Sequence, residues 1–321
     1  ASGGPWDAAY QADAAVDWIT WLYGAVFAMT AATIVSGAVA GRAKLRAYVT
    51  YTFLLAAVIY PVVIGFTWSA PDGESLVQIA TNSLLGTKIA FADFAGGMIV
   101  HGLGGIAGLT AAWVLGPRMD RYDDDGSVNV IPGHSMTFAV LGTLMLAFGW
   151  YGFNVGTASA VADGTLNGAV LGRVAMTTTV AMAMGAIGAG LVAWLKTGKV
   201  DTLYVANGLL AGLVAITAIP DTTHWLGAIV VGTLAGAQLP IVFSFVEKRL
   251  KIDDVCAVFP VHGSAGVLGT LLYSFVAVDA WNGFSPNVEF MIDGLIAQVV
   301  GVAVITAWTV TATALIWGGL K

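Results

Sequence analysis

The sequence predicts an all-α, polytopic membrane protein. Of its 321 residues, 58% are hydrophobic and only 10% are charged, whereas an ordinary soluble domain has about 25% charged residues. The mean hydropathy is +0.83. So little charge cannot form a solvated shell around an apolar core, which excludes a cytosolic enzyme, a secreted disulfide scaffold, a nucleic-acid binder and a disordered chain. The net charge of −6 indicates no polyanionic partner, and the single Cys256 cannot form an internal disulfide.

Apolar runs of membrane-spanning length support this fold class. A bilayer core of roughly 30 Å takes about 20 helical residues. Small residues inside the runs, such as the pair Gly104 and Gly108 and the group Gly185, Gly188 and Gly190, allow helices to pack closely in lipid. We therefore expect nine transmembrane helices, near residues 17–40, 47–69, 92–115, 135–160, 166–195, 203–219, 224–246, 256–276 and 290–319.

The basic residues predict the orientation of these helices. Alternate loops and the C-terminus together hold 11 of the 13 Lys and Arg residues, and the opposite side holds only Lys88 and Arg173. Because basic loops remain in the cytoplasm, we expect a multi-pass protein of the plasma membrane with its N-terminus outside and its C-terminus inside. Because the number of predicted helices is odd, the two termini must lie on opposite sides of the membrane, as this orientation requires.

A short phrase containing histidine occurs twice. His101 and His262, 161 residues apart, are each followed by glycine at the next position and again at positions +4 and +7. The phrases fall on the third and eighth predicted helices, which run in opposite directions, as in inverted repeats that build sites near the bilayer midplane. A single membrane histidine is usually a packing residue, but two in matching contexts favour a functional pair. The other two, His134 and His224, lie at loop edges, and the pattern predicts no metal site.

Asp93 begins the third predicted helix, eight residues before His101. Two roles fit it. Its carboxylate can cap the helix by accepting hydrogen bonds from free backbone amides, or it can lie near an outer vestibule and stabilise an approaching cation.

The fourth predicted helix carries glycines interleaved with aromatic residues, in the run Gly149-Trp150-Tyr151-Gly152-Phe153-Asn154-Val155-Gly156-Thr157. Glycine beside an aromatic residue exposes the ring face to a neighbouring space. Together with Asp93-Phe94-Ala95-Gly96-Gly97 and the two histidine phrases, this run resembles the Amt/Mep/Rh ammonium transporter family. The order and spacing of the motifs match along nearly the whole chain.

The resemblance implies a gate and a recruitment site at the outer side of a pore. Phe27 and Phe153 match the two rings of the family's stacked phenylalanine gate. Trp68 matches the tryptophan of the outer vestibule, and Thr157 takes the place of a serine hydroxyl there. Asp93 matches the family's structural acid and is grouped with Trp68 and Thr157 as the ammonium recruitment site.

The resemblance also implies the pore and the partners. His101 and His262 match the twin histidines of the pore, and Trp150 is expected beside them. The implied function is transport of ammonium or ammonia through a homotrimer in membrane lipid, with one pore per subunit. No enzymatic activity, cofactor, metal or nucleic-acid partner is expected. A PII-type regulator, which binds a cytoplasmic tail in family members, is a further partner that the resemblance implies, and we expect the tail segment that would bind it to be absent here.

The number of predicted helices departs from the family pattern of eleven. We expect residues 1–116 to hold three helices of the first inverted repeat, 117–134 to form a cytoplasmic linker, 135–276 to hold the second repeat of five helices, and 277–321 to form the last long helix. The two helices without a counterpart are the first two. We therefore expect the chain to be a piece of a longer transporter.

Other membrane functions compete with transport. An ammonium sensor with a transporter-like domain and little or no transport is the main alternative, and a conduction assay separates the two. A photoreceptor-like proton pump requires a Schiff-base lysine in a late helix, and residues 290–319 contain no lysine. An ATP-driven pump requires a large soluble nucleotide-binding domain, which no loop could hold.

Overall fold

The computed structural model of the protein describes residues 15–68, 75–161 and 167–321. Within these ranges the chain forms helices joined by loops, with one antiparallel hairpin that pairs β1 (Trp281–Asn282) with β2 (Ser285–Pro286). The helices are α1 (Ala15–Val39), α2 (Leu45–Thr67), α3 (Leu76–Leu85), α4 (Gly97–Leu115), α5 (Met136–Val161), α6 (Gly168–Thr197), α7 (Thr202–Thr217), α8 (Trp225–Lys248), α9 (Phe259–Val276) and α10 (Val288–Leu320).

Each of the nine predicted apolar runs overlaps one of these helices, although the runs 92–115, 203–219 and 256–276 extend beyond their helices at one end. Residues 69 and 166 lie outside the described ranges. Eight helices of the described chain are long and apolar enough to cross a membrane. Among the nine helices that match predicted runs, the exception is α7, which has 16 residues and therefore a length of only about 24 Å. Protein rather than lipid covers its end, because the carbonyls of Thr217 and Ala218 accept hydrogen bonds from the amides of Ala95 and Phe94. A buried helix end can stop inside the bilayer when its free carbonyls are satisfied in this way.

Helix α3 was not predicted from the sequence. Ser75 caps it by accepting a hydrogen bond from the backbone amide of Gln78. With ten residues it is too short to cross a membrane, and so it gave no signal in a search for long apolar runs.

Side-chain caps mark the starts of several long helices. Asn167 accepts hydrogen bonds from two amides at the start of α6, Asp201 accepts one at the start of α7, and Asn287 accepts one at the start of α10. These short polar side chains satisfy backbone donors that have no partner within the helix. Helix α6 ends at Gly198, whose φ of 73° places it in the left-handed region, the usual glycine stop signal.

Helices α6, α7 and α8 pack through glycine faces. A β-carbon at Gly185 would collide with the backbone of Gly208 and Gly212 on α7, and one at Gly188 would collide with the backbone of Thr233 on α8. The predicted role of these glycines in close helix packing is therefore confirmed.

Two helices begin part-way across the molecule with a widened, π-helical turn. In α4 this turn spans Gly97–Gly102, and in α9 it spans Phe259–Ser264. Each turn contains one of the two histidines of the repeated phrase. A π-helical turn leaves the regular hydrogen-bond ladder and commonly occurs at functional sites.

The segment 117–134 contains no helix and is tied to the rest of the protein around Asp253. The carboxylate of Asp253, 1% exposed, lies 2.8 Å from Nε of Arg118 and 3.1 Å from Nε of Arg121, and Arg42 donates to its backbone carbonyl at 2.7 Å. Arg121 also pairs with Glu247. Burial raises the pKa of Asp253, but hydrogen bonds from Arg118 and the charges of Arg118 and Arg42 together bring this pKa below its usual value.

Candidate functional site

Two phenylalanine rings stack between helices α1 and α5. The centroids of Phe27 and Phe153 lie 4.1 Å apart with an angle of 9° between the ring planes. Phe27 is 5% exposed. Face-to-face rings at this distance leave no space for a molecule between them.

Behind the phenylalanine pair, the two histidines face each other. Nδ1 of His101 lies 3.2 Å from Nδ1 of His262, and the rings are nearly parallel, 15° apart with centroids at 5.3 Å. One Nδ1 must donate a proton and the other accept it, so the pair shares a single proton at this contact. The proximity predicted from the repeated phrase is confirmed.

Trp150 forms one wall beside the histidines. Its ring stacks on His101 with centroids 4.7 Å apart and an angle of 17°, and its Nε1 donates to Oγ1 of Thr217 at 2.8 Å. The centroids of His101 and Phe153 are 5.2 Å apart. Nε2 of His101 is buried and has no hydrogen-bond partner among the residues that the structure describes. A buried imidazole nitrogen without a partner is costly, and it marks a place where a small polar molecule would be stabilised.

The glycines of the repeated phrase bring the two histidine helices into backbone contact. A β-carbon at Gly105 would collide with the backbone of Gly263, and one at Gly266 would collide with the backbone of Gly97 and Gly102. Gly105 and Gly266 lie four residues after each histidine, and Gly102 and Gly263 directly follow it. Glycine is therefore required where α4 and α9 cross, and this crossing sets the distance between the imidazoles.

Asp93 caps helix α4. Its two carboxylate oxygens accept hydrogen bonds from the backbone amides of Gly96, Gly97, Met98 and Ile99, at 2.6 to 3.1 Å. The side chain is 5% exposed. Both oxygens are thus engaged by the helix end, which is the capping alternative of the two roles considered for Asp93, and the geometry leaves the carboxylate no direct contact with an approaching ion.

Trp68 is held close to this cap. Its Nε1 donates to the backbone carbonyl of Asp93 at 2.8 Å, and its ring centroid lies 6.2 Å from that of Phe27. A β-carbon at Gly96, where φ is +92°, would meet the edge of the Trp68 ring. The indole is 38% exposed, so it offers a ring face beside the phenylalanine pair.

Thr157 lies one helical turn beyond Phe153, on the side away from Trp150. Its hydroxyl donates to the carbonyl of Phe153 at 2.8 Å. The hydroxyl of Tyr23 lies 2.7 Å from both the Thr157 hydroxyl and the Phe153 carbonyl. Tyr23 was not predicted from the sequence, although its position four residues before Phe27 places it on the same helical face and its ring packs on Phe27 with centroids 4.7 Å apart.

Two further residues near the histidines were also missed. Asp254 caps helix α9 by accepting hydrogen bonds from Val258 and Phe259 at 2.9 and 2.7 Å. The signal was available, since Asp254 follows Asp93 by the same 161 residues that separate the histidines. Gln238 on α8 donates to the carbonyl of Pro260 at 2.8 Å and accepts from the Ser264 hydroxyl at 2.8 Å, and a single glutamine in an apolar run gave no signal of that kind.

The arrangement contains no evident metal centre: among the described residues, no three His, Cys, Asp or Glu side chains group in a way that could hold a metal ion. What the site offers is a series of aromatic rings, from Trp68 and Tyr23 through the phenylalanine pair to Trp150 and the two imidazoles.

Comparison with known proteins agrees with this geometry. A profile of the Ammonium Transporter Family matches residues 6–321. The chain belongs to this family. It is 66% identical over 317 residues to ammonium transporter Amt2 of Haloferax mediterranei, covering 97% of this chain and 66% of that protein. It is 39% identical over 303 residues to ammonium transporter Amt1 of Methanocaldococcus jannaschii, covering 94% and 70%.

Solved structures show the same fold. A sensor Amt protein superimposes with a TM-score of 0.82 at 33% identity, covering 92% of this chain and 70% of the other. Mep2 of Saccharomyces cerevisiae superimposes with a TM-score of 0.75 at 28% identity, covering 90% and 63%. The chain thus has the inverted-repeat fold of ammonium transporters and spans about two thirds of the length of these relatives.

Proposed function

We propose that the protein containing this chain transports ammonium across a membrane. One observation carries the proposal: a stacked phenylalanine pair, Phe27 and Phe153, directly adjoins a buried pair of imidazoles, His101 and His262. An apolar barrier followed by neutral hydrogen-bonding groups suits a small neutral molecule that arrives as a cation and crosses without its charge.

Recruitment begins at the Trp68 ring. A cation over an indole face gains roughly 0.5–2 kcal/mol from cation–π attraction, and Trp68 is held in place by its hydrogen bond to the Asp93 carbonyl. The hydroxyl oxygen of Thr157 accepts an N–H group of the ion. In this proposal Asp93 contributes through its cap, which fixes both the start of α4 and the carbonyl that holds Trp68.

The phenylalanine pair then separates ammonium from other cations. A bare charge in a site of low dielectric costs far more than the recruitment contacts return, so the ion cannot pass Phe27 and Phe153 intact. Ammonium can transfer one proton to water on the Trp68 side of the pair and continue as neutral ammonia. Potassium has no proton to lose and stays outside.

The imidazoles and Trp150 line the path of the neutral molecule. Ammonia both donates and accepts hydrogen bonds, and the unpaired Nε2 of His101 can take either role according to its tautomer. The single proton between the two Nδ1 atoms fixes the tautomers of the pair relative to each other.

Location and assembly follow from the same proposal. The positive-inside distribution supports a plasma-membrane protein with the Trp68 side of the gate outside and the C-terminus in the cytoplasm. A homotrimer with one pore per subunit and regulation by a PII-type protein are proposed from the family resemblance.

Transport is tested with the full-length protein in liposomes. We expect an ammonium gradient to drive a current or an internal pH change, with no comparable response to potassium. The variant Phe148→Ala provides a matched control, since Phe148 lies on α5 but is 81% exposed, and it should behave as the unchanged protein. Absence of an ammonium-specific response in well-folded protein would refute the proposal.

An ammonium sensor is the second candidate, supported by the superposition on a sensor Amt protein at 33% identity. A sensor would bind ammonium with little or no flux. The liposome assay decides between the two, because binding detected by calorimetry without flux in the same preparation would support the sensor.

A further inference from the structure

Three oxygen atoms form a tight triangle on the Trp68 side of the phenylalanine pair. They are the Tyr23 hydroxyl, the Thr157 hydroxyl and the carbonyl oxygen of Phe153, and their separations are 2.7, 2.7 and 2.8 Å. All three edges of the triangle have hydrogen-bond length. The triangle joins α1 to α5 at the backbone of a gate residue.

The number of protons in this triangle is smaller than the number of edges. Each hydroxyl carries one proton, and the carbonyl carries none. Two protons therefore serve three edges, whichever way the hydroxyls rotate, and one pair of oxygens faces each other without a proton between them. Each hydroxyl donates to the Phe153 carbonyl, so the Tyr23 and Thr157 oxygens keep lone pairs for a donor outside the triangle.

The surroundings allow a small cation to use these lone pairs. Thr157 is 4% exposed and Tyr23 is half-buried, so few waters compete there. Gly156 leaves room for the tyrosine, since a β-carbon at Gly156 would lie 3.1 Å from the Tyr23 hydroxyl. The Phe27 ring lies near both aromatic neighbours, with the Tyr23 centroid at 4.7 Å and the Trp68 centroid at 6.2 Å.

We propose that Tyr23 is a specificity-determining residue of this site, because its hydroxyl completes an acceptor-only oxygen cluster that receives the N–H groups of ammonium. The inference rests on the proposed transport function and adds a residue and a selection rule to it. A cation with four N–H groups is best able to donate hydrogen bonds to the oxygens of the triangle. Each methyl group that replaces an N–H removes one of these donors.

The test compares hydroxyl deletions in the full-length protein, with uptake of ammonium and of methylammonium measured in liposomes. Tyr23→Phe keeps the ring and removes one oxygen. We expect KM for ammonium to rise about tenfold, equivalent to about 1.4 kcal/mol, with a smaller rise for methylammonium and with maximal rates within about twofold. Tyr151→Phe is the matched control, because the Tyr151 hydroxyl pairs with Thr179 on α6 and not with the triangle, and it should leave both KM values unchanged.

The variant Thr157→Val and the double variant examine whether the triangle acts as a unit. We expect Thr157→Val to raise KM for ammonium as well, and the double variant to be little worse than the more affected single variant. An unchanged KM in Tyr23→Phe, or an equal rise for both substrates, would overturn the inference. If Tyr23→Phe fails to fold, an unchanged KM in Thr157→Val overturns it. Absence of transport in the unchanged protein would instead refute the proposed function.

Discussion

Asp93 and Asp254 hold equivalent positions in the two halves of the molecule. Each lies eight residues before one of the paired histidines, and each carboxylate accepts backbone hydrogen bonds at the start of the helix that carries that histidine. The likeness extends to the backbone, since Gly96 and Ala257, three residues after each aspartate, both have positive φ, at +92° and +56°. A left-handed residue followed by a π-helical turn thus introduces each histidine.

We predict that the caps formed by Asp93 and Asp254 contribute comparably to the stability of the protein. Asp254→Ala and Asp93→Ala should each destabilise the protein by about 1–3 kcal/mol, because several buried amides lose their acceptor. Asp201→Ala is the matched control. Asp201 accepts a single amide hydrogen bond, from Tyr204 at a more exposed helix start, and its loss should cost about 0.5–1 kcal/mol. Thermal unfolding in detergent measures all three, and an Asp254→Ala protein no less stable than Asp201→Ala would contradict the equivalence.

The crossing of α4 and α9 should not tolerate a methyl group. Gly105→Ala places a β-carbon against the backbone of Gly263, and overpacking of this kind costs about 1–3 kcal/mol. Because the helices must separate to make room, His101 and His262 move apart and we expect ammonium flux to fall at least about tenfold. Gly142→Ala on α5, where a β-carbon meets nothing within 4 Å, is the control. Normal flux in a folded Gly105→Ala protein would show that the imidazole spacing is not critical.

Much of the fold could be predicted from the sequence, because a bilayer imposes length and apolarity on the helices that cross it. The nine apolar runs overlap nine helices of the described chain, and the repeated His-Gly phrase predicted that His101 and His262 form a pair. Glycine at fixed spacing predicts close approach in lipid, where small residues let backbones meet.

The missed features depend on short polar contacts between distant segments. Tyr23 follows no motif, and its hydroxyl becomes significant only when α1 meets the Phe153 carbonyl of α5, 130 residues away. Asp254 differs from these, because its spacing of 161 residues from Asp93 was a signal and its amide partners lie only four and five residues ahead. Gln238 holds a π-helical turn, and no simple periodicity predicts where a helix widens. Helix α7 has 16 residues, and a neighbouring segment covers its end.

The cluster around Asp253 should make stability depend on pH. The pKa of Asp253 in the folded protein is lower than its ordinary value, so the ionised carboxylate stabilises the fold at pH values above the unfolded pKa of about 3.9. This stabilisation is lost as the pH falls below 4 through the folded pKa. We expect Asp253→Asn to destabilise the protein by about 3–5 kcal/mol at pH 7, because Arg118 and Arg121 lose a buried partner.

The same variant should have a smaller drop in unfolding temperature between pH 6 and pH 3 than the unchanged protein. Glu289→Gln is the control, since Glu289 forms an exposed ion pair with Lys88 and exposed pairs contribute little. Parallel pH profiles for Asp253→Asn and the unchanged protein would show that another group governs acid unfolding.

The phenylalanine pair should affect the selectivity for ammonium over potassium more than it affects the rate of ammonium transport. Phe153→Ala removes one of two rings stacked at 4.1 Å, and the resulting gap lets water enter beside His101, whose ring centroid is 5.2 Å from that of Phe153. A hydrated path lowers the cost of carrying an intact charge, so the ratio of ammonium to potassium conduction should fall by at least about tenfold, an energy of about 1.4 kcal/mol. Phe148→Ala removes an exposed ring from the same helix and should leave the ratio unchanged. Ion-specific currents from both variants in liposomes measure the ratio, and a Phe153→Ala protein with unaltered selectivity would exclude the stacked pair as the barrier to intact cations.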